Sequence, residues 1–182
     1  AMDARRGPRS RTLRAAEFIV ERLSSPLGEL LLVSDGEQLR ALDFADCRAR
    51  MDALLNRHYG AVILREGEDG SGARAALDAY FAGHLTALDA LTVDTNGTDF
   101  QRRVWRALRA IPPGTTRHYG ELAAELGLPR GARAVGHANG ANPISIVIPC
   151  HRLVGADGAL TGYAGGVERK RWLLEHEGAG RG

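Results

Sequence analysis

A chain of 182 residues, 44% hydrophobic and 25% charged, has enough apolar material for one large domain or two small ones. No apolar run approaches the roughly 20 residues of a membrane-spanning helix, and two cysteines about a hundred residues apart give no disulfide framework, so membrane and disulfide-scaffold classes are set aside and a cytoplasmic protein is expected. The formal net charge of +2 hides an asymmetry: residues 1–14 hold five arginines against one acid, residues 15–99 seven against fifteen, and residues 100–182 twelve Lys/Arg against six. An acidic first half joined to a basic second half fits a polyanion-binding second half, and equally fits solvated helix faces with uneven usage.

The opening AMDARRGPRSRTLR is poor in apolar residues and carries Gly and Pro, so residues 1–16 are expected to form a disordered tail. In EFIVERLSSPLGELLLVSDGEQLRALDF, short apolar runs are broken by Pro-Leu-Gly and Asp-Gly turn signals, which predicts a small antiparallel meander. A helix over about 46–59 follows, where Cys47, Met51, Leu54 and Leu55 recur at helical spacing and assign Cys47 to core packing. AVILRE then reads as a strand, and ARAALDAYFAGHL as an amphipathic helix carrying Leu77, Tyr80 and Phe81. Residues 17–93 thus read as an α/β domain, a small antiparallel sheet with helices.

Asn96-Gly97 makes a natural joint, and a second domain is expected over residues 97–178. In TDFQRRVWRALRAI, Thr98 with Gln101 is a capping-box signature. Phe100, Val104, Leu108 and Ile111 share one apolar face, with Arg102, Arg103, Arg106 and Arg109 mostly off it. Pro112-Pro113-Gly114 ends that helix. YGELAAELGLPRGARAVGHANG gives helix, break, helix, a helix-turn-helix pattern that any closely packed helix pair also shows. The second of these helices, over about 130–139, is built of Ala, Gly, Val and small polar residues around Arg133. It can approach another surface closely, whether a neighbouring helix or a sugar-phosphate backbone. LVGADGALTGYAGG reads as a hairpin-like loop turning at Asp157-Gly158, and VERKRWLLEHEG as a last helix stopped by Gly178, so the second domain is mostly helical.

Cys150 lies in IVIPCHRLVG, directly before His151. A free thiol with a pKa of about 8.5 is only a few per cent thiolate at neutral pH, so a nucleophilic cysteine needs a neighbour that takes its proton. His151 is such a neighbour in sequence. On a strand, however, the two side chains would point to opposite faces, and a relay between them would bend or pass through a water. Glu175 or Glu177, flanking His176, could orient the imidazole.

The stretch GHANGANPISIVIPCHRLVGADGALTGYAGGVERKRWLLEHEG resembles the active-site region of O6-alkylguanine-DNA alkyltransferases in their stand-alone bacterial form. The resemblance extends upstream through GTDFQRRVWRALRAIPPGTTRHYGELAAELG and, more loosely, to SPLGELLLVSDG and LDAYFAGHL. Several separated elements agree in order and spacing: the Arg133 helix, Asn142-Pro143, Pro-Cys-His-Arg, Gly162-Tyr163 with Gly165-Gly166, and the terminal His-Glu-Gly. The resemblance implies a ribonuclease-H-like first domain and a second domain with a winged helix-turn-helix. The implied reaction is irreversible transfer of an alkyl group from O6-alkylguanine in DNA, with O4-alkylthymine as a further candidate, to the protein itself.

By that resemblance Cys150 is the alkyl acceptor, His151 its general base acting through a water, and Glu177 the carboxylate that orients His151. Tyr119 is the proton donor to the departing base, and Asn142 the hinge between recognition helix and active-site loop. Arg133 is the finger that fills the stack when the nucleotide is flipped out, on a helix that enters the minor groove with Ala134 and Gly136. Arg102 is expected at phosphates and Tyr163 at the DNA and the pocket wall. The pocket is expected from the carbonyls of Cys150 and Leu153, the amide of Ala164, Gly165 close to the base, and Ser145 where relatives commonly have Pro or Ala. No metal or other cofactor is implied, since the vertebrate zinc ligands have no counterpart here. The implied partner is double-stranded DNA, met by a monomer with no obligate protein partner and no membrane. Relatives that grip alkylated guanine without repairing it lack the acceptor cysteine, and Cys150 argues against that alternative.

Overall fold

The computed structural model describes residues 14–179. The tail expected over 1–16 lies outside the described residues as far as residue 13, and Ala16 already begins the first strand. Strands β1 (Ala16–Leu23), β2 (Leu30–Ser34) and β3 (Leu39–Phe44) form the expected antiparallel meander. The run LLLV in β2 is buried at every position because both faces of the strand are covered. Leu30 and Leu32 enter the larger core, while Leu31 and Val33 face a smaller one with Met51 and Leu55.

Helix α1 (Arg48–Tyr59) lies between β3 and β4 (Val62–Glu66). β4 pairs in parallel with β1, so the sheet has the order β3-β2-β1-β4 and is mixed, with the antiparallel meander as its larger part. A helical crossover returns the chain to the end of the sheet it left, which is how parallel neighbours are made. Residues Ala45–Cys47 form a separate turn of 3-10 helix ahead of α1. That turn takes Cys47 out of the row of Met51, Leu54 and Leu55 and leaves it half-buried, with Sγ 3.7 Å from the carbonyl of Ala164. Helix α2 (Ala73–Phe81) places Leu77 and Tyr80 in the larger core.

In the second half, α3 (Asp99–Arg109) starts with both hydrogen bonds of the capping box, Gln101 N to Thr98 Oγ1 at 3.1 Å and Thr98 N to Gln101 Oε1 at 3.0 Å. Val104, Leu108 and Ile111 are buried, and Trp105 joins them by donating Nε1–H to the Ala138 carbonyl at 2.9 Å. Helices α4 (Tyr119–Glu125) and α5 (Ala132–Gly140) make the helix-turn-helix. α5 begins two residues later than the composition suggested, because Gly131 N closes a turn on the Leu128 carbonyl.

After a loop and a 3-10 turn over Cys150–Arg152, β6 (Leu153–Val154) pairs in parallel with β5 (Arg117–His118). The following loop turns at Asp157-Gly158 without a returning strand, and α6 (Val167–His176) closes the described chain. One apolar cluster runs through both halves, from Leu30, Leu42 and Leu77 to Val104, Ile144, Ile148 and Leu173.

Candidate active site

The loop from Ala141 to Pro149 joins α5 to the 3-10 turn that carries Cys150. Its residues from Asn142 onward are buried, so its backbone polar groups need partners inside the protein. Asn142 supplies two of them: Nδ2 donates to the Ile148 carbonyl at 2.7 Å and Oδ1 accepts from Ile144 N at 2.9 Å. Strand β3 supplies two more, as Ser145 N donates to the Leu42 carbonyl at 2.9 Å and Leu42 N to the Pro143 carbonyl at 3.1 Å. The second domain's loop is in effect stitched to the first domain's sheet. Within it Ile146 takes φ 70°, a left-handed conformation that a β-branched residue rarely adopts.

The loop delivers Cys150 to a buried position, and the 3-10 turn carries His151 and Arg152 inward beside it. Glu177, just past α6, accepts from His151 Nε2 at 2.9 Å, from Arg152 Nε at 2.9 Å, from Arg152 Nη2 at 3.0 Å and from the Tyr80 hydroxyl at 2.6 Å. Of the two glutamates the sequence left open, Glu177 is therefore the one placed at His151, while Glu175 is exposed. An ionised carboxylate only accepts, so the proton of His151 sits on Nε2 and Nδ1 keeps the basic lone pair. Nδ1 is buried and has no partner among the described protein atoms.

Burial pushes the Glu177 carboxyl up, but the hydrogen bonds from His151 and Arg152 outweigh it and hold the group down at about 2. Burial pushes the His151 imidazole down, against the pull of Glu177. Burial also pushes the Cys150 thiol up, opposed by the Asn142 amide and by the charges of Arg50 and Lys170. The resting pair is thus a neutral thiol beside a neutral imidazole, with a fixed carboxylate behind it.

Of the residues expected to bound a pocket, Ser145 and Leu153 are buried and Gly165 is half-buried. Lys170, fully buried, donates to the carbonyls of Leu153 at 2.5 Å and Thr161 at 2.8 Å. A base amine approaching the Leu153 carbonyl would therefore use its second lone pair. Tyr163 stands edge-on to Phe44, 6.3 Å between ring centroids, and its hydroxyl is buried with no partner among the described residues. Ala164 is exposed. Gly165 lies flat against Phe44: a Cβ there would collide with the ring, so first-domain packing alone already demands a glycine.

Helix α5 presents Arg133 and Ala134 to solvent, and Gly136 faces the ring of Tyr119, 3.6 Å from where its Cβ would sit. Tyr119 is half-buried at the start of α4. Arg133, Gly136 and His137 line a groove whose other wall is Arg50, Ala53 and Arg57 of α1. Arg102 is not on that groove. It lines a separate cleft with Arg106, Arg109 and the segment from Leu91 to Thr95.

Three groups escaped the sequence reading. In sequence Tyr80 is one more apolar position of an amphipathic helix, and nothing singles out Lys170. Arg152 stands in Pro-Cys-His-Arg, where the sequence assigns it no role. It donates to both oxygens of Glu177 and through Nη1 to the Ile111 carbonyl at 2.6 Å. The spacing that betrays a two-pronged arginine partner is spatial, because Arg152 and Glu177 are 25 residues apart in sequence.

A buried thiol one loop away from an exposed helix-turn-helix surface is the plan of a DNA-binding protein with a nucleophilic cysteine, and likeness to known proteins narrows that class. Residues 99–179 match the DNA-binding domain, and residues 19–95 the ribonuclease-like domain, of 6-O-methylguanine DNA methyltransferase. The methylated-DNA–protein-cysteine methyltransferase of Salmonella typhimurium is 56% identical over 165 residues, covering 88% of this chain and 96% of that protein. Its counterpart from Mycobacterium tuberculosis is 62% identical over 158 residues, covering 85% and 89%. The crystal structure of Mycobacterium tuberculosis OGT in complex with DNA superposes with a TM-score of 0.73 at 46% identity, covering 90% of this chain and 94% of that one. This chain belongs to the 6-O-methylguanine DNA methyltransferase family.

Proposed function

We propose that this protein, a methylated-DNA–protein-cysteine S-methyltransferase acting in direct-reversal DNA repair, transfers the alkyl group of O6-alkylguanine in DNA to its own Cys150, once per molecule. The observation that carries the assignment to this residue is the buried Cys150–His151–Glu177 arrangement, in which the tautomer of His151 leaves Nδ1 as the basic atom.

In the reaction a carbon–sulfur bond forms as the carbon–oxygen bond to guanine breaks. The thiol proton passes through a water to His151 Nδ1, and Glu177 stabilises the imidazolium that results. A guanine anion is a poor leaving group, so the Tyr119 hydroxyl supplies a proton to the ring nitrogen on the minor-groove side as the charge develops. The thioether formed at Cys150 has no leaving group to release, which accounts for single use.

A base in a duplex cannot reach a buried thiol, so the nucleotide is rotated out at a cost of roughly a few kcal/mol. Residues 97–178 perform that rotation. Helix α5 enters the minor groove with Ala134 and Gly136 against the backbone, and Arg133 fills the vacated stack. Asn142 ties α5 to the reactive loop, while Ser145, Leu153, Tyr163, Ala164 and Gly165 bound the pocket. Residues 17–93 hold the loop from behind. We assign Arg102 no part on the α5 face. The protein acts as a monomer, in the cytoplasm.

The test is to incubate the protein with a duplex containing O6-methylguanine and map its peptides by mass. Stoichiometric methylation of Cys150 with restored guanine is expected; tight binding with no transfer to Cys150 would sink the proposal.

A further inference from the structure

We propose that Tyr80, contributed by α2 of the first domain, is a positioning residue of the transfer reaction: its hydroxyl holds the Glu177 oxygen that His151 uses, and so sets how His151 is oriented and how firmly it holds a proton. The inference rests on the reading of Cys150 as acceptor and His151 as its base.

Oε2 of Glu177 accepts three hydrogen bonds, from the Tyr80 hydroxyl at 2.6 Å, His151 Nε2 at 2.9 Å and Arg152 Nη2 at 3.0 Å. Tyr80 is fully buried, and its ring is braced edge-on by Phe81 and His176, 5.2 and 5.1 Å between centroids. Its backbone carbonyl bonds His176 Nε2 at 2.8 Å. Packing alone would be served by phenylalanine, whereas a buried hydroxyl needs an acceptor, and the acceptor here is the carboxylate of the proton relay.

The titratable and charged groups facing the His151–Glu177 pair are Tyr80 from α2, Cys150 and Arg152 from the 3-10 turn, and Lys170 and His176 from α6. Tyr80 and Arg152 between them take up much of the negative charge that Glu177 would otherwise direct wholly at the imidazole. Removing the hydroxyl concentrates that charge on the His151 N–H and favours the imidazolium. A base that is already protonated cannot take the proton of Cys150, so the acid limb of the reaction moves to higher pH.

The experiment uses the full chain with Tyr80→Phe, measuring single-turnover methyl transfer from an O6-methylguanine duplex between about pH 5 and 9, where an imidazole titrates. On the acid limb the first-order transfer constant is expected to fall roughly 3- to 10-fold, the limb being displaced upward by about half to one pH unit, with a smaller loss at neutral pH and DNA affinity unchanged. In a Glu177→Gln background, Tyr80→Phe should add nothing, because the hydroxyl acts through that carboxylate. A Tyr80→Phe profile identical to the wild type overturns the proposal, as does a pH-independent loss accompanied by weaker DNA binding. Should the variant fail to fold, the unaltered protein decides by NMR: an exchange-protected Tyr80 hydroxyl proton coupled to a Glu177 carboxylate is expected, and its absence overturns the proposal. A wild-type protein that leaves Cys150 unmethylated would instead sink the reading of the site itself.

Discussion

The two halves of the molecule use arginine in opposite ways. In the first, Arg22, Arg40, Arg48, Arg50, Arg65 and Arg74 each meet a carboxylate, respectively Glu29, Asp35, Asp52, Asp43, Glu17 and Glu21. In the second, Arg102, Arg103, Arg106, Arg109, Arg130 and Arg133 have no carboxylate partner among the described residues, and Arg117, Arg152 and Arg169 are the paired ones. Exposed ion pairs stabilise by only about 0–1 kcal/mol, so apart from Arg50 with buried Asp43 and Arg40 with Asp35 the pairs of the first half say little about its stability. The contrast says instead where positive charge stays available to a polyanion: chiefly on α3, on α5 and in the turn before it, joined by Arg57 of α1 on the same groove as Arg133 and by Arg171 of α6. Composition showed the imbalance, but only the fold shows which arginines are already taken.

The sharpest way to probe this division is to separate chemistry from grip. Cys150→Ala should abolish methyl transfer completely while DNA affinity, measured by fluorescence anisotropy, stays at the wild-type level; residual transfer would move the acceptor elsewhere. Next in size is Arg50, the paired arginine that serves the other half. It meets buried Asp43 and donates to the carbonyls of Gly140 and Asn142 at 2.8 and 2.9 Å. Arg50→Ala leaves that carboxylate without its partner and should cost about 2–3 kcal/mol. Calorimetry should then show the Tm lowered by roughly 4–12 °C.

Among the unpaired arginines, Arg133→Ala should slow repair of duplex substrate by roughly 10- to 100-fold, since it removes the group that offsets unstacking. Arg102→Ala, in its separate cleft, should change the same rate by less than about 2-fold, the ordinary range for a surface change. Equal losses for the two variants would break the division between α5 and α3.

Acid is the mildest probe. The ionised-state contacts of Glu177, held at about 2, are fully present above the unfolded carboxylate range and lost as pH falls toward that value. His151 is kept neutral by burial, so folding loses ground once the unfolded imidazole protonates, below a pH of about 6.5. The Tm should be level near neutrality and decline progressively below that pH; a Tm that rises on acidification would contradict the assignment of charges.

Local signals in the sequence were legible wherever one residue answers to its neighbours. The Thr98–Gln101 box and the β1–β3 meander came from short-range pattern, and the placement of Cys150, His151 and Glu177 in one site came from a shared order of motifs. What was hidden depended on distant partners. Nothing in VILRE says that it will lie parallel to β1, and nothing in ALDAYF says that Tyr80 will reach a glutamate 97 residues later. Lys170 looks like any solvated lysine until two carbonyls, of Leu153 and Thr161, are brought to its ammonium. Cys47 does pack against the core, but not in the row its helical spacing suggested, since the helix starts one residue too late to include it.

Ile146 sets two demands that no amino acid meets together. Its backbone, at φ 70°, suits glycine or asparagine, while its side chain is 1% exposed and fills the core beside Val147 and Ile148. Glycine would relax the chain and leave a hole; asparagine would suit the turn and bring a polar amide into an apolar space. The bend that carries the chain from the recognition helix to Cys150 is therefore a compromise frozen in from both sides, and a position with no expected contact to DNA should tolerate exchange as poorly as those that have one.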